Sequence, residues 1–302
     1  MGLNDIFKKM TKDGKVIFIL LATLLFTVSL IINYSIQVGL LSLEKALLIG
    51  VPFSFAWVVF AWAITNQSVL RKPFPYVCIF VAILIEKLYW ALFYLLFSPV
   101  YETTNGVADA FALGLGNSML FSDWLNLLRP GGSAFWVFVF VEFFVMLIVF
   151  MVLWYLARPK DFKKISWKKA SLVIFASFLM TMPFWIWNAI YYFGGTRFFE
   201  IFITNWDLIS WYNLLFYGMS IAIALVIFAY VITNIKSIYK YVLYGLILLF
   251  LLVQYLPFFD FVNWKYYDDL VRVSAYFIIF GVSYFIVFLS LLLLAKTKYI
   301  EQ

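Results

Sequence analysis

Eight runs of about 20 consecutive apolar residues, set off by short polar or charged breaks, constrain this chain more than any other feature. They fall at about 16–36, 46–65, 75–98, 134–157, 170–193, 211–234, 241–259 and 273–295. As α-helices rising 1.5 Å per residue, each is long enough to cross a hydrocarbon core of ~30 Å. None alternates apolar and polar positions over the ~10 residues of a barrel strand, so helices are predicted and not a barrel. The expected fold is an all-α polytopic integral membrane protein, one transmembrane helical-bundle domain over residues 1–302. Composition excludes the alternatives. Hydrophobic residues make up 66% and charged ones 12%, where soluble domains carry about a quarter charged. One cysteine and 14 glycines support neither a disulfide scaffold nor a collagen-like chain. The first apolar run is too long for a signal peptide and lacks a following small-residue cleavage site. Met1-Gly2 has no Ser or Thr at position 6, so myristoylation is not expected.

Basic residues set the sidedness. With the N-terminus cytoplasmic, inside segments hold 16 of the 22 Lys and Arg, among them Lys8, Arg71, Arg158, Lys169, Lys236 and Lys298. Outside segments hold five: Lys45, Arg129, Arg197, Lys265 and Arg272. Nine acids lie outside and four inside, so the net charge of +7 is a consequence of topology. Both termini are expected in the cytoplasm and the protein in the cell membrane, in contact with anionic lipid and not nucleic acid. The short loops leave no room for a soluble domain on either face, and no Gly-rich phosphate loop is present.

The chain has no histidine and a single thiol, Cys78. Haem ligation by imidazole, His/Cys metal sites and Ser–His or Cys–His nucleophiles are therefore beyond it alone. No cofactor is expected through His or Cys, and catalysis by the chain on its own is disfavoured. A bound quinone or lipid remains open.

The longest connection, 99–133, contains Asn117 to Leu128, where Leu120, Phe121, Trp124, Leu125 and Leu128 share one helical stripe. It reads as a short interfacial helix, or as a lid or docking surface over an outward cavity. Three outer turns share a theme, FSDWL at 121–125, TNWDLI at 204–209 and VNWKYYDDL at 262–270. Repeated two-helix hairpins or a plain interfacial preference for Trp, Asn and Asp both explain them. Asp123, Trp124, Trp206, Asp207 and Trp264 are the candidate partner or lid surface. Pro183 and Pro257 fall in outer halves near Thr181, Trp185, Asn188 and Gln254, so any cavity is expected to open outward.

Three charges lie inside helices. Glu86 and Lys87 stand near the middle of the third run and Glu142 in the fourth. An unpaired charge at such depth costs at least ~2.5–3.5 kcal/mol, so Lys87 is expected to pair with Glu142, Glu86 or both. Two acids and one base favour keeping one carboxyl protonated. Packing of the bundle, proton or ligand handling, and contact with a partner's charge are the competing roles. Trp90, Phe93, Tyr94 and Phe97 follow Glu86 and either pack or line a slot for a flat lipophilic ligand such as a quinone.

Three functions are consistent with these features. The first is a membrane subunit of a multi-subunit, respiratory complex, touching other membrane or extracytoplasmic subunits and a quinone. The second is a proton-coupled small-solute transporter using Glu86, Lys87 and Glu142, disfavoured by few glycines for close helix packing. The third is an outer-leaflet lipid-modifying enzyme using external acids such as Asp123, Asp207, Asp268 and Asp269.

Overall fold

The structure, a computed structural model, describes residues 14–35, 43–65, 73–97, 133–157, 166–204, 215, 218–233, 238–253 and 269–295. Among the described residues all regular structure is helical. The helices are α1 (Lys15–Ser35), α2 (Leu43–Ile64), α3 (Phe74–Phe97), α4 (Ser133–Ala157), α5 (Trp167–Thr204), α6 (Met219–Ile232), α7 (Tyr239–Val253) and α8 (Asp269–Ala295). One helix stands at each of the eight apolar runs. Three described stretches are long and apolar enough to cross a bilayer: Leu47–Ile64, Val139–Ala157 and Phe277–Ala295. Shorter apolar stretches lie at Lys15–Ser29, Phe74–Glu86, Met219–Ile232 and Tyr239–Val253. Every one of the eight helices contributes to an apolar outer surface. Large apolar side chains face outward on every one, among them Ile17, Phe55, Val81, Phe144, Phe175, Ile223, Leu249 and Ile278. Water would not tolerate apolar patches of that extent.

The helices form a ring in chain order, closed by α8 against α1. Within it the even-numbered helices make an inner square, with α2–α4, α4–α6, α6–α8 and α8–α2 all in contact. Each odd-numbered helix packs outside against its two neighbours in the ring. Aromatic stacks bridge the inner helices. Phe60 of α2 stacks on Phe288 of α8 with ring centroids 4.7 Å apart, and Phe150 of α4 stacks on Phe228 of α6 at 4.5 Å. Trp57 and Phe26 pack edge-on against the first of these pairs. Stacked and edge-on rings at such spacing fill space as an ordinary core does.

Every helix contact named above has a counterpart four helices further on, and the sequence explains why. Residues 56–66 (AWVVFAWAITN) and 224–234 (ALVIFAYVITN) agree at seven of eleven positions. With the same spacing, Lys72 matches Lys240, Tyr76 matches Tyr244 and Ile79 matches Ile247. Residues 148–160 (IVFMVLWYLARPK) and 286–298 (IVFLSLLLLAKTK) agree at seven of thirteen. In α1 and α5, Lys15, Ala22, Leu25 and Thr27 match Lys169, Ala176, Leu179 and Thr181. The chain is thus a tandem repeat of two four-helix halves, α1–α4 and α5–α8.

Hydrogen bonds repeat with the residues. Thr65 Oγ1 donates to the Ala61 carbonyl at 2.6 Å and accepts from the Tyr76 hydroxyl at 2.9 Å. Thr233 makes the same pair of bonds, to the Ala229 carbonyl at 2.6 Å and with Tyr244 at 2.8 Å. Because Thr233 already donates to Ala229, Tyr244 is the donor in that second bond. Thr23 and its counterpart Ser177 each donate to the carbonyl four residues back. The two phenylalanine stacks exchange under the repeat, since Phe60 corresponds to Phe228 and Phe288 to Phe150. Each half holds four helices, so its ends lie on one side and the pseudo-two-fold axis runs along the bundle.

One sequence expectation changes. The fifth helix, predicted to end near 193, continues to Thr204 through Gly194, Gly195, Arg197 and Glu200. Thirty-eight residues make ~57 Å of helix, more than a bilayer core requires. Charged residues other than Glu86, Lys87 and Glu142 lie on helices too. Lys15, Glu44, Lys45, Lys168, Lys169, Arg197, Glu200, Lys240 and Arg272 also stand on helical backbone. Helices that outrun their apolar stretch carry these residues near their ends. One such end is tied down by Lys169, whose Nζ donates to the Val231 carbonyl in the last turn of α6 at 2.9 Å.

Candidate functional site

The site is built where α2, α3 and α4 meet, each in contact with the other two. The bond between Thr65 and Tyr76 fixes the register of α2 against α3. From Thr65, Ser54 lies eleven residues back along α2, about 16 Å and three turns within ~20°, on the same stripe toward α3. From Tyr76, Glu86 lies ten residues on, about 15 Å along α3. Ser54 and Glu86 both lie toward the same end of the bundle from that bond. Along its own helix, Glu142 lies eight residues, about 12 Å, from Phe150, and Ser54 six residues, about 9 Å, from Phe60.

Burial follows from the helical stripes. Glu86 shares its face of α3 with Ile79, Ala82 and Ile83, all buried, and is itself 2% exposed. Glu142 is half-buried, on the α4 stripe that carries Val145, Val149 and Leu153 into the core. Both glutamates engage other groups. Ser54 is 0% exposed, and its hydroxyl has no hydrogen-bond partner among the described residues. That sets it apart from Thr23, Thr27, Thr65, Ser177 and Thr233, which all bond the carbonyl four residues back. The Trp57 indole N–H, one turn along α2, is likewise buried without a partner among the described residues.

The remaining expected site residues fall outside this description. Lys87 is on the backbone of α3, and its side chain, like those of Trp90, Phe93, Tyr94 and Phe97, lies outside the described residues. So do Asp123, Trp124, Trp206, Asp207, Trp264 and the whole of the expected interfacial helix at 117–128. The Lys87 pairing is therefore a matter for experiment. Among the described residues no group of three or more His, Cys, Asp or Glu could hold a metal. Cys78 is a half-buried free thiol. On the next helix but one, Trp185 Nε1 donates to Thr181 Oγ1 at 3.2 Å, and its ring meets Phe140 of α4 edge-on at 5.3 Å.

Ser54 was not among the residues that sequence reasoning singled out. Its signal was present in the comparison of the halves, where Ser54 stands against Ala222, Glu86 against Gln254, Lys87 against Tyr255 and Glu142 against Phe280. Phe280 is buried in α8, as an apolar replacement at that position should be. No family model, curated protein or solved structure matches this chain.

Proposed function

We propose that the chain crosses the cell membrane eight times with both termini cytoplasmic, and that it works as a non-catalytic membrane subunit anchoring a larger assembly. In this reading the assembly is respiratory, and the face around Glu86 and Trp90 touches a quinone. The observation that carries the subunit reading is the aromatic layer. Phe60 stacked on Phe288 and Phe150 stacked on Phe228 support it, because each pair fills the space between two facing inner helices with ring carbon. The apolar perimeter then serves lipid and neighbouring subunits. Purification from native membrane in a mild detergent tests it: co-purifying redox subunits are expected, and a lone, transport-competent chain would sink the idea.

A proton-coupled carrier is the second reading, favoured by the two-repeat construction that many carriers share. Uptake into proteoliposomes that collapses in Glu86→Gln while the protein stays folded would decide for it. Topology has its own test. In a Cys78→Ser background, single cysteines placed at 68, 162 and 236 should react with an impermeant maleimide only from the cytoplasmic side.

A further inference from the structure

We propose that the outward groove over α6, between α5 and α7, binds one anionic phospholipid, with Lys168 and Lys240 on its phosphate and an acyl chain along α6. This site rests on the membrane-spanning reading above, whose failure the maleimide labelling shows separately. Sidedness decides only which leaflet supplies the lipid.

The groove follows from the packing and from the repeat. As a corner of the inner square, α6 has α5 and α7 packed on either side of it. Its exposed stripe, Ile223 and Tyr230, lies seven residues apart on one face. The matching stripe on α2, between α1 and α3, is Phe55 and Trp62, and these are exposed as well. In the first half large rings occupy the space beside that stripe. Trp62 meets Phe18 of α1 edge-on at 4.0 Å, and Phe55 meets Phe80 of α3 at 4.9 Å. The matching residues of the second half are Tyr230 with Leu172 and Ile223 with Leu248. Each of the four is smaller than its counterpart, so more room is left over α6 than over α2.

Charge stands at one end of this groove. Lys168 precedes Leu172 by one turn on α5, and Lys240 precedes Leu248 by two turns on α7, so both lysines share a stripe with a residue that borders the groove. Tyr244, between Lys240 and Leu248, bonds Thr233 just past the end of α6, and Lys169 bonds the Val231 carbonyl. The starts of α5 and α7 therefore meet the end of α6 at one level. Trp167 and Tyr241 are exposed beside the two lysines, as aromatic residues at headgroup depth are. The first half lacks this arrangement, with Asp13 and Gly14 where the second has Trp167 and Lys168. The segments leading into α5 and α7, residues 158–169 and 234–240, hold eight basic residues against one acid. From Tyr230 to Ile223 the apolar stripe runs about 10 Å inward from the charged end. A negative head joined to a long apolar chain matches both parts, whereas a soluble anion leaves the stripe unused and a quinone brings no charge to the lysines.

Native mass spectrometry of the full chain in detergent, with added dioleoylphosphatidylglycerol or dioleoylphosphatidylcholine, tests the site. One saturable phosphatidylglycerol adduct is expected, bound about tenfold more tightly than phosphatidylcholine, as the attraction of basic residues to anionic lipid predicts. Lys168→Ser combined with Lys240→Ser should bring the two lipids to equal affinity. Leu172→Phe combined with Tyr230→Trp writes the ring pair of the first half into the second and should remove the adduct of both lipids. A melting midpoint near that of the wild type would show that the rings are accommodated, and the lysine variant tests the site without any change to packing. Equal affinities in the wild type, a preference unchanged in the lysine variant, or adducts unchanged in the folded ring variant would each overturn the assignment.

Discussion

The hydroxyl pairs at the ends of α2 and α6 show how the two halves can be compared residue by residue. Tyr76 and Tyr244 each reach back eleven residues to a threonine that closes the preceding helix. Removing either hydroxyl loses one partly buried hydrogen bond, worth about 0.5–1.5 kcal/mol. Tyr76→Phe and Tyr244→Phe should therefore lower stability by about 1 kcal/mol each, and by the sum in the double variant, since they share no partner. Unfolding in bicelles reads this directly. Larger and matched losses belong to the aromatic layer. Phe60→Ala and Phe228→Ala each empty a fully buried ring position, for which about 3–5 kcal/mol is usual. The same equilibrium should show the two costs as near equals. Clearly unequal costs would mean that the halves are not mechanically equivalent.

Among helices, the glycines of the second half offer a gain in stability. A Cβ at Gly245 of α7 meets nothing within 4 Å, and one at Gly281 of α8 would sit 3.8 Å from Thr27 Oγ1, an ordinary contact. Glycine inside a helix costs about 0.5–1 kcal/mol relative to alanine. Gly245→Ala and Gly281→Ala should each raise the unfolding midpoint, and a fall at Gly281 would show that α1 and α8 pack more closely than this spacing. Helix positions were legible from the sequence because apolar length alone defines them. Helix ends were less so. Gly194-Gly195 and the charges of Arg197 and Glu200 read as a stop, yet the backbone runs on to Thr204, since nothing there removes a hydrogen-bond donor as proline would. The buried charges were equally plain, because a Glu inside an apolar run stands out. Ser54 was not, because a serine in such a run is unremarkable until its neighbours and its missing bond are known.

For the molecule as a whole, the repeat was the feature hardest to read. The outer turns, with their Trp and Asp, invite comparison in the sequence, while the shared signature sits on core faces and in helix ends. Helix identity is kept at three different spacings, because the connections between helices differ in length and only the packed surfaces are constrained. Contacts between halves are extensive, since α2 meets α8, α4 meets α5 and α6, and α1 meets α8. Each phenylalanine stack takes one ring from each half. A chain cut within 158–165 should therefore assemble when both fragments are co-expressed, and each fragment alone should be degraded. Recovery of the first fragment by a tag on the second checks this, and a first half that is stable alone would contradict the shared core.

The exchange of partners across the axis also says something about origins. Two identical four-helix chains with these faces would complete each other's cores as a symmetric homodimer, each lending a Phe60-type ring to the other's Phe150-type ring. In such a dimer every acidic residue comes twice, so a lone charged junction cannot exist. Joining the copies in one chain lifts that restriction, so the sequence can carry Glu86 in one half and Gln254 at the matching position of the other.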